Sequence, residues 1–282
     1  GTPLSLRAIT RPDIVAAYAR SFQPGQATLI MVGDVTTARA KALAEARFGG
    51  WTSAGRATPT APAVVYPKPR VVVVDMPEAG QAGVVVARPA IARRDPRYYP
   101  LAVGNTVLGG GFSSRLNQEI RIKRGLAYGA SSGLDAGKTQ GTVAARTQTK
   151  NPTAAEVVTL IAAEMTRLGS APVPTAELDT RKAVLVGNFG RGIETTSGVA
   201  GILGAYVQND VPLGELQRYT GAVGAVDPAA VQAAATALLD PKEASIVVVG
   251  DAKQFIEPLR KAYPNVEVIP EAALKLDTAT LR

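Results

Sequence analysis

The stretch Leu108–Tyr128, LGGGFSSRLNQEIRIKRGLAY, decides how the rest of the chain is read. Gly109, Gly110 and Gly111 predict a backbone free to take positive φ and to let another chain come close. Ser113 or Ser114 offers an N-cap, and a short helix follows with Phe112, Leu116 and Ile120 on one face. Arg115–Glu119 and Glu119–Lys123 have i,i+4 spacing, where an ion pair contributes about 0.2–0.5 kcal/mol. Gly125 is placed to end this helix at C′, and Leu126, Tyr128 and Ala130 then alternate as a strand does. Arg121 and Tyr128 therefore stand on either side of one tight turn. The glycines form neither common phosphate loop: no GK[ST] follows them, and no βαβ unit or third fingerprint glycine surrounds them.

Extended by one residue, LGGGFSSRLNQEIRIKRGLAYG closely resembles the second-domain signature of the inverzincin metallopeptidases, the group of pitrilysin, insulin-degrading enzyme and mitochondrial processing peptidase. The similarity runs from Gly1 to about Val268. It implies a domain that lacks the zinc motif and presents an Arg and a Tyr, seven residues apart, to a peptide across a cleft. Arg121 and Tyr128 have that spacing in the matching R-x-x-x-G-L-x-Y context. By the resemblance they bind the substrate backbone and help stabilise the tetrahedral intermediate, and the turn at Gly109, Gly110 and Gly111 lets substrate approach. The family's H-x-x-E-H is nowhere in the chain. No cofactor is expected here, and zinc is expected in a homologous domain or subunit that closes over this one.

Composition narrows the chemistry independently. The 282 residues contain no His and no Cys, so His-based triads, His general bases and the usual zinc ligands are all excluded. Ser113, Ser114, Ser131 and Ser132 have no base in sight, and no S-x-x-K occurs, which speaks against a serine hydrolase. Hydrophobic content of 46% is ordinary for a globular chain, while aromatics at 5% are sparse, leaving Ala and Val to build the core. No apolar run reaches the roughly 18–20 residues of a membrane helix. The net charge of +8 raises the question of an anionic partner. Yet the Arg clusters, 88–97 and 115–124, interleave no aromatics as a single-strand platform would, so a solvated basic face outweighs a nucleic-acid binder. No leader is visible near Gly1, which leaves periplasmic and cytoplasmic locations equally open.

An internal repeat organises the rest. Pro12 starts a helix bearing Ile14, Ala17, Tyr18 and Phe22; Pro24 follows, then the apolar run 27–32 and Gly33-Asp34, expected as a buried strand ending in a glycine turn. Pro228 starts a helix bearing Val231, Ala234, Ala235, Leu238 and Leu239; Pro241 follows, then the run 244–249 and Gly250-Asp251. Gly33 and Gly250 are 217 residues apart, as are Pro24 and Pro241. Self-similarity at that length means duplication rather than a solenoid. Residues 1–56 then read as the closing fragment of a preceding homologous domain, 57–69 as a Pro-rich linker, 70–270 as the non-zinc peptidase-like domain, and 271–282 as a tail.

Within 70–270, strands are expected at Arg70–Asp75 and Gln81–Ala87, joined by a turn over 77–80, and a helix from Pro96 to Leu108. Residues 126–134 and 141–148 pair as a hairpin. Asn151-Pro-Thr153 caps a helix burying Val157, Leu160, Ile161, Met165 and Leu168, and Thr175 begins a long helix running with glycine interruptions towards Gln208. The order is that of an α+β fold, a two-layer domain whose antiparallel or mixed sheet is covered by helices, as the resemblance implies. The carboxylate pairs Asp75/Glu78, Glu177/Asp179 and Asp34/Asp251 have capping and turn roles, and Arg181 and Lys182 are expected in solvent. The chain reads as the non-catalytic half of a zinc metalloendopeptidase; the alternatives are a structural or assembly subunit and, resting on charge alone, a nucleic-acid binder.

Overall fold

The computed structural model describes residues 1–52, 66 and 68–282. Three helices open the chain, α1 (Pro3–Ala8), α2 (Arg11–Ser21) and α3 (Thr37–Phe48). Helix α2 starts as its sequence predicts: the Thr10 amide donates to Asp13 Oδ2 at 2.9 Å, closing a capping box over Pro12. None of the three helices buries a residue. Residues 27–34, expected as a strand, make no ladder, because no strand lies alongside them among the described residues. The expected linker, 57–69, falls mostly outside the described residues; within it, the Tyr66 hydroxyl donates to the Gly141 carbonyl at 2.9 Å.

The remaining elements are β1 (Val71–Asp75), β2 (Ala82–Ala90), α4 (Tyr98–Gly109), β3 (Ala127–Ala136), β4 (Gly141–Thr149), α5 (Ala154–Ser170), α6 (Thr175–Gly192), α7 (Thr196–Gln208), α8 (Glu215–Gly224), α9 (Pro228–Leu238), β5 (Ser245–Gly250), α10 (Ile256–Ala262) and β6 (Glu267–Pro270). The strands form one six-stranded mixed sheet in the order β3-β4-β2-β5-β1-β6. This is the expected α+β architecture. The β3–β4 hairpin forms as predicted. Strands β1 and β2 are consecutive in the chain but not neighbours, because β5 returns between them, parallel to β1 and antiparallel to β2. A Val-rich strand buries more apolar surface in the centre of a sheet than at its edge.

Two faces of this sheet differ. Val84, Val86, Val143, Ala145, Ile246 and Val248 are buried with Leu101 and Leu108 of α4, Ile161 of α5 and Val231 of α9. Each such side chain contributes about 1.5–3 kcal/mol when fully buried. The alternate positions on β2, β4 and β5 form the open face. The long helix expected from Thr175 is interrupted at 193–195, where the Thr195 hydroxyl accepts from the Gly198 amide at 3.0 Å and caps α7. Helix α8 was not foreseen, although Leu216, Tyr219 and Val223 recur on one face at i, i+3 and i+7. The tail is fastened by Arg70, whose fork donates to Glu267 at 2.8 Å and to the carbonyls of Ala279 and Thr280.

Candidate functional site

After α4, the chain enters a short helix that widens into a π-turn over Asn117–Ile122, where the Lys123 amide donates to the Gln118 carbonyl at 2.9 Å. Neighbours fix its position. Arg115 donates bidentately to Glu177 of α6 at 2.9 and 2.8 Å, not to Glu119 as the spacing suggested. Glu119 pairs with Lys123, as predicted, and also with Arg124. Arg181, expected in solvent, is buried and donates to the Ser113 hydroxyl at 2.7 Å, so Ser113 serves α6 rather than capping its own helix. Glu177 is likewise a partner for Arg115, not only a first-turn carboxylate. Gly125 ends the helix with φ +62°, and the Leu126 amide donates to the Ile120 carbonyl at 2.9 Å.

The glycine triplet behaves differently from its prediction. None of Gly109, Gly110 and Gly111 takes positive φ. A Cβ on Gly109 would lie 2.1 Å from the Ser132 amide nitrogen, so the close approach it permits is to β3 of its own chain. At Gly110 a Cβ would meet Thr106 Cα at 2.6 Å, whereas Gly111 faces open space.

Strand β3 carries a bulge at the decisive place. Ala127 and Ala130 pair with Thr149 and Thr147 of β4, three steps against two. Regular alternation would put Tyr128 on the face of Ala130, which is 6% exposed; the extra residue turns Tyr128 out to 89% exposure. Three polar side chains hold this geometry. Thr147 Oγ1 donates to the Gly129 carbonyl at 2.7 Å, and Thr149 Oγ1 to the Leu126 carbonyl at 2.6 Å. Asn117 accepts from the Ala130 amide at 3.3 Å and donates to the Phe112 carbonyl, joining the π-turn to the bulge.

Between these elements lies Arg121. Its guanidinium carbon is 4.8 Å from the centroid of the Phe112 ring and 4.7 Å from that of Tyr128. Phe112, expected on the core face with Leu116 and Ile120, is instead 64% exposed and covers one side of this cation. Such cation–π contacts contribute about 0.5–1 kcal/mol each at exposed sites. Neither Arg121 nor the Tyr128 hydroxyl has a hydrogen-bond or ion-pair partner among the described residues. The rings thus fix the fork while its N–H edge stays free for carbonyl, oxyanion or carboxylate oxygens. Sequence reasoning missed Phe112, Asn117 and Thr147; only Gly129, interrupting a strand directly after Tyr128, signalled the bulge.

No metal fits these residues. The chain lacks His and Cys, and no group of three carboxylates comes together among the described residues. No single helix among the described residues is long and apolar enough to cross a membrane.

Fold and site together define a helix-covered α+β domain that offers a preorganised Arg–Tyr pair and no metal ligands. Residues 8–185 match the peptidase M16 inactive domain, and the chain belongs to that family. It is the inactive part of a zinc-protease-like protein. An uncharacterised zinc protease of Streptomyces coelicolor is 35% identical over 134 residues, covering 45% of this chain and 29% of the relative. One of Mycobacterium tuberculosis H37Rv is 29% identical over 201 residues, covering 70% of this chain and 45% of the relative. The crystal structure of a peptidase M16 inactive domain from Pseudomonas fluorescens superposes with a TM-score of 0.82 at 27% identity, covering 89% of this chain and 60% of that one. The chain thus spans less than half the length of these two curated relatives.

Proposed function

We propose that this chain is the non-catalytic wall of the peptide cleft in a zinc metalloendopeptidase, closing against a homologous half that bears H-x-x-E-H and the zinc. Arg121 stacked between Phe112 and Tyr128, with no hydrogen-bond or ion-pair partner among the described residues, is the observation that carries this reading. Arg121 donates to a substrate carbonyl or to the developing oxyanion, and the Tyr128 hydroxyl donates beside it. Both donors are in place before substrate arrives, which is where electrostatic stabilisation of a transition state is most effective. Gly111, exposed and with open space above it, leaves room for the substrate backbone at the same wall.

The homologous half is argued from the repeat. At the 217-residue offset, α2 and α9 share their bounds, as do the 3-10 turns Pro24–Gln26 and Pro241–Glu243. Residues 1–56 are on this reading the end of the half that carries the zinc.

Assaying the assembled pair against peptide, with thermal melts alongside, tests the site. Tyr128→Phe and Arg121→Ala each remove one donor, and loss of an oxyanion donor costs about 10²–10³ in kcat. Tyr128→Phe, at an exposed side chain, changes stability by only about 0.5 kcal/mol, and Arg121→Ala also gives up two ring contacts of about 0.5–1 kcal/mol each. Unchanged kcat/KM in both variants sinks the catalytic reading and leaves an assembly subunit. Activity lost in step with Tm makes the pair structural.

A further inference from the structure

The open face of the sheet carries a trough of about 510 Å³ beside Tyr128, and its floor has a chemistry of its own. Val85, Val247 and Val249 supply the floor, and no carboxylate lines it. Gly83, the second residue of β2, is flanked on both sides, by Gln148 of β4 and Val249 of β5. Glycine weakens a strand interior and often marks a place where another chain comes close. A Cβ at Gly83 would meet nothing within 4 Å, so the missing side chain leaves room over the sheet rather than relief of a clash.

Arg146 stands one diagonal step away, opposite Val85 on β4. It is exposed and has no hydrogen-bond or ion-pair partner among the described residues. Diagonal neighbours on adjacent strands are about 7–8 Å apart. In an extended peptide, side chains two residues apart share a face at about 6.6–6.8 Å. The two spacings agree.

We infer that this trough selects peptide segments of the pattern apolar-x-acidic: the apolar side chain sits over Gly83 on the valine floor, and the carboxylate pairs with Arg146. This rests on the peptide-cleft reading and names the substrate class that the wall prefers. An apolar floor with one lone cation suits such a segment better than a polyanion, which needs a row of cations and stacking rings.

Titration of the isotope-labelled chain with blocked hexapeptides, followed by amide chemical shifts, tests the inference without needing the zinc-bearing half. A Leu-x-Glu peptide is expected to shift the amides of Gly83, Val85, Arg146 and Val247, and to bind about threefold tighter than Leu-x-Lys. Arg146→Glu reverses that order, whereas a merely structural role would weaken both peptides. Gly83→Val places a good strand former in open space, so it keeps Tm while weakening Leu-x-Glu about tenfold and sparing Ala-x-Glu. Equal affinities for the Glu and Lys peptides, or shifts confined to other faces, overturn the inference. Tighter binding of a thymidine oligonucleotide than of any peptide at the same amides overturns it as well, in favour of a polyanion. Failure of the broader reading shows separately: Arg121→Ala and Tyr128→Phe would then leave every peptide's affinity and turnover unchanged, whatever the trough prefers.

Discussion

Arg115 and Arg181 show how the site's helix is held from outside. Burial pushes the Glu177 carboxyl up, but the Arg115 fork, helped by the charges of Arg181 and Arg167, outweighs it and leaves the group below its usual 4.5. A carboxyl depressed on folding contributes stability in full above its unfolded value and loses it as pH falls through the folded one. Tm measured from about pH 6 to about pH 3 is therefore expected to fall more steeply below the ordinary Glu range in the native chain than in Glu177→Gln. Parallel curves refute this. Thr147→Val makes a second residue-scale test. It removes the hydroxyl that donates to the Gly129 carbonyl, a bond with a net contribution of about 0.5–1.5 kcal/mol, so Tm drops by a few degrees. If the bond holds the bulge, peptide turnover by the assembled pair falls further than Tm predicts. At this scale it was the family resemblance that singled out Arg121 and Tyr128 on either side of the turn, while the sequence itself marked Gly125 as the helix end. It hid Phe112 and Asn117, since an aromatic or amide near a helix start looks the same whether it packs, caps or clamps.

Among elements, β1 to β5 and most helices were legible because their patterns are regular and their ends are marked by Pro and Gly, whereas β6 was not foreseen and 27–34 form no strand. What could not be read was adjacency. Nothing in VVVVD or GVVVA states that β5 returns between them, since that order is set by burial summed over the whole sheet. The glycine interruptions pointed to irregularity between α6 and α7 without giving the place of the break, because Gly190 and Gly192 are tolerated inside many helices. The contact between α4 and β3 also arises from long-range packing, and it yields a sharp prediction. Gly109→Ala places a methyl 2.1 Å from the Ser132 backbone, which cannot swing aside as a flexible side chain would. Overpacking of this kind costs about 1–3 kcal/mol or more, so Tm falls by several degrees and β3 shifts with its bulge. Gly111→Ala, with nothing within 4 Å, is the matched control and leaves Tm in place. Equal melting of the two variants would show that α4 and β3 accommodate the methyl.

For the molecule as a whole, the proposed duplication makes opposite statements about two equivalent sets of side chains. Ile14, Tyr18, Phe22, Leu29 and Met31 are exposed, while their counterparts 217 positions later, Val231, Ala235, Leu239, Ile246 and Val248, are buried in the core. Phe22 is 59% exposed and Leu239 0%. The second set is covered by α4, α5 and neighbouring strands; the first requires the same kind of cover from a homologous half-sheet. Apolar surface removed from water contributes roughly 25 cal/mol per Å², so this patch favours association strongly. The chain alone is expected to self-associate at micromolar concentration and to bind a hydrophobic dye, and Phe22→Lys with Leu29→Lys should restore a monomer. With the zinc-bearing half supplied, the native chain forms a stoichiometric pair and the double variant does not. Elemental analysis then finds zinc in the pair and none in the chain by itself, since His and Cys are absent here. Sedimentation decides the matter: a native chain that stays monomeric, dye-free and indistinguishable from the double variant would mean that these side chains await no partner. A tightly held zinc in the isolated chain would overturn the division of labour between the halves.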